Sequence, residues 1–314
     1  SMERPIAIVG PTASGKSALA MELSRIDHSI ELLSVDSMQV YRGMDIGTAK
    51  PTISEQQEVR HHLIDMVQPG DSFTFVEYQK EYKKLLIELK SRQAKPLLVG
   101  GTGLYLRAAI DGLTPPPQFP EVMAQLETEI DTELLHRRLV ELDPIAAAKM
   151  DSKNRRRIAR ALEVTLGSGK PFSSFGPGLD KYKEAPYELI GIEIDRSLLD
   201  LRIAERYEMQ MDMGFLDEVQ RLSDSEMSVT ARQALGYKEL LAYVRKETSL
   251  EEALTIAIQR TKRFARRQQR WFRRDPRIHW IDFSDVGSFL DQRRNQSNEL
   301  SSERIESGGY DASI

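Results

Sequence analysis

Ile6-Ala7-Ile8-Val9 runs directly into Gly10-Pro11-Thr12-Ala13-Ser14-Gly15-Lys16-Ser17, and the chain then continues as the helix-like Ala18-Leu19-Ala20-Met21-Glu22-Leu23-Ser24. A short apolar run, a glycine turn and an opening helix are the context that the pattern G-x-x-x-x-G-K-[ST] requires. This order predicts an α/β protein, a P-loop NTPase-like parallel sheet core flanked by helices. It also makes Gly10, Thr12, Ala13, Ser14, Gly15, Lys16 and Ser17 candidates for holding phosphates. Glycines let successive backbone N–H groups converge on an anion, and the helix N-terminus adds positive dipole. Lys16 neutralises terminal charge, and the Ser17 hydroxyl suits Mg²⁺. The loop alone leaves open whether the phosphates belong to a nucleotide.

Working outward, Ile30 to Val35 reads as a second parallel strand ending at Asp36-Ser37-Met38-Gln39. A carboxylate there lies on the edge where open α/β sheets place ligands, so Asp36 is a catalytic candidate; a helix cap or a ribose-binding acid is the competing reading. Arg42 to Pro51 is a polar, glycine-containing loop with basic ends, suited to a substrate lid. His61 and His62 are adjacent on a strand and point to opposite faces, which favours structural roles over a shared metal. Lys95 to Val99 and Gly100-Gly101-Thr102-Gly103-Leu104-Tyr105 repeat the strand, glycine turn and helix order, placing Thr102 on the same edge as a contact to the phosphorylated ligand.

Thr114-Pro115-Pro116-Pro117 and Pro120 mark a boundary, and the charged helical pattern beyond it reads as an insertion. The divisions expected are a first core part over 2–114, a helical insertion over 115–186, core completion with a basic helix over 187–283, and a disordered tail over 284–314. Arg155-Arg156-Arg157-Ile158-Ala159-Arg160 opens a helix in the insertion, Gly176 to Pro186 reads as a loop, and Arg202 and Arg206 lie four apart on a later helix. Ser249 to Glu252 fits a capping box opening a helix to about Arg274. Its 100° spacing gathers Ala257, Ile258, Thr261, Phe264, Ala265, Gln268, Trp271 and Phe272 on one arc. Arg260, Lys262, Arg263, Arg266, Arg267, Arg270, Arg273 and Arg274 fall on the other. At about 1.5 Å per residue, that is a basic stripe roughly 20 Å long, suited to tracking nucleic-acid phosphates. Arg263 and Arg267 are its central candidates.

The 314 residues allow one sizeable domain plus an insertion, and the net charge of −4 hides that local imbalance. With no cysteine in the chain, disulfides and thiol nucleophiles are excluded. No apolar run approaches the length of a membrane span and no signal-peptide order is present, so a cytoplasmic protein without membrane contact is expected. Ser1 before Met2 reads as a residue left by tag cleavage.

Gly10 to Ser17, Ser34-Val35-Asp36-Ser37, Tyr41 to Pro51, His61-His62-Leu63, Gly100 to Tyr105, Arg157 to Val164 and Gln233 to Glu239 together resemble the bacterial tRNA dimethylallyltransferases. The matches run in order from about residue 6 to 283, and Tyr41 to Pro51 is the most specific of them. The resemblance implies transfer of a dimethylallyl group from dimethylallyl diphosphate to N6 of adenosine 37 in the tRNA anticodon stem-loop, for tRNAs reading codons that begin with U. Mg²⁺ as cofactor and a monomeric state are expected alongside. It implies that the loop takes an isoprenoid diphosphate in place of ATP, that Asp36 is the base, and that Lys16, Ser17, Thr102 and Arg206 serve the leaving group. Asp36, Ser37, Met38, Gln39 and Thr102, Arg156 to Arg160, and Gln233, Gly236, Tyr237 and Lys238 match the family's tRNA-contacting segments. Ser17 stands where many members have Thr, and the hydroxyl is kept. The rival from the residues alone is a P-loop kinase of a small metabolite, with ATP in the loop and Asp36 deprotonating an alcohol.

Overall fold

Short runs of Ile, Leu and Val bounded by turn residues form strands that are buried on both faces, because helices cover a parallel sheet from both sides. The computed structural model describes residues 3–175 and 178–308. Among them, β1 (Ile6–Val9), β2 (Ile30–Val35), β3 (His61–His62), β4 (Lys95–Gly100), β5 (Glu188–Glu193) and β6 (His279–Asp282) form one parallel sheet in the order β3-β2-β4-β1-β5-β6. The helices are, in order, α1 (Lys16–Ile26), α2 (Ile53–Glu58), α3 (Phe75–Ser91), α4 (Gly103–Ile110), α5 (Pro120–Glu127), α6 (Thr132–Leu142) and α7 (Pro144–Ala148). They continue with α8 (Arg155–Ser168), α9 (Arg196–Asp212), α10 (Phe215–Ser223), α11 (Val229–Arg232), α12 (Tyr237–Val244), α13 (Leu250–Arg273) and α14 (Val286–Gly308).

Side chains alternate across the sheet. Ile8, Leu32, Leu97 and Ile192 face a core shared with Leu19, Leu23 and Leu290 of α1 and α14. Ala7, Val9, Leu33, Val35 and Leu98 face the larger core built with α3, α4 and α9 to α13. After β1 the chain crosses toward β2, whereas after β4 it crosses the other way toward β5. The neighbours β1 and β4 therefore frame the switch point at which such sheets open a ligand crevice.

The chain separates into two compact units, Leu113–Lys181 and the remainder. The smaller unit has its own apolar core of Leu126, Leu135, Leu139, Ala147, Ile158, Ala161 and Leu162. The expected insertion boundary at residue 186 is corrected to Lys181, because the Tyr182 ring lies under the guanidinium groups of Arg107 and Arg277 in the larger unit, 4.5 and 5.3 Å away. Of the loop read from Gly176 to Pro186, Gly176 and Pro177 lie outside the described residues.

A second correction concerns the tail. Val286–Gly308 is helical where disorder was expected from 284 onward, and residues 309–314 lie outside the described residues. The polar composition hides three apolar residues at helical spacing. Leu290 is buried, Val286 and Phe289 pack beside it on the α1 side of the sheet, and Arg294 Nη2 donates to Glu22 of α1 at 3.1 Å.

Candidate active site

The turn after β1 is shaped by backbone geometry that only glycine adopts without strain. Gly15 has φ 90° at the start of α1 and places no side chain over the helix N–H groups. Two cations converge on this turn. Lys16 Nζ donates to Pro11 O at 3.1 Å, and Arg206 of α9 donates to Thr12 Oγ1. Burial, followed by the neighbouring Arg206, pulls the Lys16 ammonium down to about 8, with Asp36 partly offsetting the shift. Burial also lowers Arg206. One turn earlier on α9, Arg202 Nε donates to Ala13 O at 2.8 Å. Ser14 Oγ is buried and has no hydrogen-bond partner among the described residues. Two crowded, desolvated cations and an unpartnered hydroxyl make this turn suited to holding an anion.

Asp36 follows β2 across the crevice. Its Oδ1 accepts the N–H groups of Met38 at 2.8 Å and Gln39 at 3.2 Å, while no described residue donates to Oδ2. One carboxylate oxygen is thus fixed and the other is available. The cap reading and the base reading of this residue are compatible, because different oxygens serve them. Thr102 Oγ1 accepts Ser37 N–H at 3.0 Å and so ties the turn after β4 to the turn after β2.

A cavity of about 530 Å³ joins these groups, all within the larger unit. Thr12 to Ser17, Asp36 to Gln39, Thr102, Arg206, Gln233, Tyr237 and Arg267 line it, with Met38, Ala234, Leu235 and Phe264 as apolar wall. Gly10, Gly236, Lys238 and Arg263 do not line it. Among the described residues no group of His, Asp and Glu is arranged to hold a metal ion. His61 bonds Val59 O and His62 bonds Glu31, in keeping with separate structural roles.

Several expected contacts are corrected by burial. Tyr237 is 0% exposed and donates its hydroxyl to Glu218, Gly236 is buried, and Ile158 is 0% exposed in the core of the smaller unit. Gly236 and Ile158 fill a protein interior, and Tyr237 reaches only the wall of the cavity. Arg160 is bound to Glu163 and the carbonyls of Pro116 and Pro117, and Ala159 is half-buried, so the exposed basic pair on α8 is Arg156 and Arg157. The stripe on α13 is likewise divided. Arg260 pairs with Glu239, Arg266 with Asp200 and Arg273 with Glu193, whereas Arg263, Arg267 and Arg270 are exposed with no ion pair among the described residues. The acids that neutralise three of the stripe's eight cations are distant in sequence, so a helical projection does not reveal them. The loop read as a lid is anchored: Lys50 is buried and bonds Tyr41 O and Asp45, and Arg42 Nε donates to Asp65 O at 2.9 Å.

Sequence reading missed Gln268 as a site residue. It sits on the inner arc of α13, where its Oε1 accepts Thr12 N–H at 3.1 Å and its Nε2 donates to Gly101 O at 3.0 Å, bracing both glycine turns. A long polar amide on an arc whose other members are apolar apart from Thr261 was the available signal.

A parallel sheet with a phosphate loop at its switch point, two half-buried cations over that loop and a half-free carboxylate across the crevice defines a P-loop-like enzyme fold built to handle a phosphorylated ligand. Residues 39–275 match the family described as IPP transferase, and the chain belongs to that family. It is 44% identical over 287 residues to the tRNA dimethylallyltransferase of Bifidobacterium longum subsp. infantis, covering 89% of this chain and 86% of that one. With the tRNA dimethylallyltransferase of Geobacter sulfurreducens it shares 43% identity over 291 residues, covering 90% and 93%. Among solved structures, the full-length tRNA isopentenylpyrophosphate transferase of Bacillus halodurans aligns with a TM-score of 0.66 at 34% identity, over 96% of this chain and all of that one. Family membership sets aside the small-molecule kinase reading.

Proposed function

We propose that this protein transfers the dimethylallyl group of dimethylallyl diphosphate to N6 of adenosine 37 in tRNAs reading codons that begin with U, releasing diphosphate. The observation that carries this reading is the placement of Asp36 and the Lys16–Arg206 cation pair on the walls of one cavity. The exocyclic amine of adenine is a weak nucleophile, because its lone pair is delocalised into the ring. As the bond from N6 to the allylic carbon forms, the carbon–oxygen bond to the diphosphate breaks and N6 becomes acidic. Asp36 Oδ2 takes the proton while Oδ1 stays fixed by the Met38 and Gln39 amides. Charge accumulating on the leaving oxygens is met by Lys16, Arg206, the loop amides and the Ser14 hydroxyl.

The donor set suits Mg²⁺ delivered with the substrate. Ser17 opens α1 with a hydroxyl on the cavity, and Mg²⁺ typically keeps several waters and takes phosphate oxygens in preference to a full protein cage. When bound there, the ion neutralises charge on the diphosphate. Exposed Arg156, Arg157, Lys238, Arg263, Arg267 and Arg270 supply cations for the tRNA backbone.

Incubation with unmodified tRNA, Mg²⁺ and isotope-labelled dimethylallyl diphosphate, followed by nucleoside mass spectrometry, tests the proposal. Label is expected on N6 of adenosine 37, with the rate lowered about 10²–10⁴-fold in Asp36→Ala. Absence of label sinks the activity, and an Asp36→Ala variant turning over near the normal rate removes Asp36 as the base.

A further inference from the structure

Glu218, on α10, is 2% exposed, and its carboxylate receives an unusual convergence of donors. Oε1 accepts the backbone N–H groups of Asp45 and Ile46, both at 2.9 Å. Oε2 accepts Gly47 N–H at 3.3 Å and the Tyr237 hydroxyl at 2.7 Å. Gln210 of α9 adds a bond to Ile46 O at 2.8 Å. Three successive amides turned onto one buried anion fix the conformation of the loop that carries them. The clamp is also tight sterically: a Cβ at Gly47 would overlap the rings of Phe215 and Tyr237.

The next residues of that loop reach the base. Thr48 O and Ala49 O accept the Gln39 side-chain amide at 3.1 and 3.3 Å, and Gln39 Oε1 accepts Ser34 Oγ–H at 2.7 Å. Gln39 is held on both ends of its amide, and its own backbone N–H is one of the two donors that fix Asp36 Oδ1. A continuous path of hydrogen bonds therefore runs from Glu218 through residues 45–49 and Gln39 to Asp36. The phosphate loop is held by other groups, Gln268, Arg202 and Arg206.

We infer that Glu218 is a positioning residue for the transfer reaction, acting through the 45–49 loop and Gln39 to hold the Asp36 carboxylate in its reactive orientation. The inference rests on the proposed role of Asp36. Its function is separable from diphosphate capture, because the two hydrogen-bond sets meet the cavity from different sides.

The test is a double-mutant cycle of Glu218→Gln and Gln39→Ala, read by steady-state transfer to tRNA and by binding of inorganic pyrophosphate. Glu218→Gln keeps the shape but turns an amide NH₂ toward donors. It is expected to lower kcat about 10–100-fold, with pyrophosphate affinity unchanged within about twofold. The double variant is expected to be no slower than the slower single variant, since both break one path. Tyr237→Phe removes a single donor and is expected to lower kcat about threefold to tenfold with the same split; it carries the test if Glu218→Gln does not fold. Multiplying defects in the cycle, a parallel loss of pyrophosphate affinity, or full-speed turnover in Glu218→Gln and Tyr237→Phe would each overturn the inference. Wild-type protein assayed alongside separates the cases: no transfer by wild type defeats the proposed function itself, whereas normal transfer by both wild type and variants defeats only the role of Glu218.

Discussion

Two turns on one sheet edge have the same sequence signature and opposite uses. After β1, the turn from Gly10 to Ser17 gathers an unpartnered Ser14 hydroxyl, a Lys16 ammonium lowered by burial and a crowded Arg206. After β4, the turn from Gly100 to Tyr105 is closed by the protein itself. Gln268 bonds Gly101 O, Thr102 Oγ1 accepts Ser37 N–H, and the Trp271 indole occupies the space where a Gly103 side chain would stand. A strand, glycine turn and helix thus define a place of close approach, and what approaches is decided by the neighbouring elements. At the first turn it is a pair of cations beside the cavity; at the second it is α13, with Thr102 still on the cavity wall.

The contrast can be broken in both turns. Lys16→Ala removes a cation facing the developing diphosphate charge and is expected to lower turnover about 10²–10³-fold with little change in the unfolding midpoint. Equal activity in steady-state transfer would mean that the first turn is as structural as the second. Gly103→Ala is expected to act the other way, destabilising the fold by about 1–3 kcal/mol in urea unfolding as Trp271 is displaced. A neutral result there would show that α13 is not held against the second turn by that contact.

The smallest effect sharpens the first turn. Burial and the neighbouring Arg206 pull the Lys16 ammonium down to about 8, and a bound anion raises that value. Binding of the anion then requires proton uptake above pH 8 and none well below it. Pyrophosphate affinity measured calorimetrically should therefore be level up to about pH 7 and fall as pH rises through 8, with a limiting slope of about tenfold per unit. Lys16→Arg keeps its charge over this range and should lose that slope, which separates the lysine from the titration of pyrophosphate itself. The same slope in both proteins would assign the pH dependence to another group.

Much of this was legible from residues alone, because the signals were local. The apolar runs that became β1, β2 and β4, the loop from Gly10 to Ser17, the position of Asp36 past a strand end and the caps of α13 all depend on neighbours within a few residues. Ser249 Oγ accepts Glu252 N–H at 3.1 Å as the spacing predicts, although the Glu252 carboxylate completes its bond with Thr248 and not with the Ser249 backbone. What failed was non-local. Arg260 and Glu239, Arg266 and Asp200, and Arg273 and Glu193 meet only once helices and strands pack, so a uniform basic stripe became a partly neutralised one. Leu290 found a core that the polar composition around it concealed.

By itself the sequence determined that this chain builds a phosphate-binding loop on a parallel sheet with a carboxylate beside it, because backbone freedom at glycine, strand periodicity and helix capping are written in consecutive residues. Only the tertiary structure decided which cations remain for a ligand, which of Tyr237, Lys50 and Ile158 are interior, and that Gln268 and Glu218 hold the two sides of the cavity. Desolvation and pairing between distant residues set those outcomes, and neither has a period or a spacing to be read.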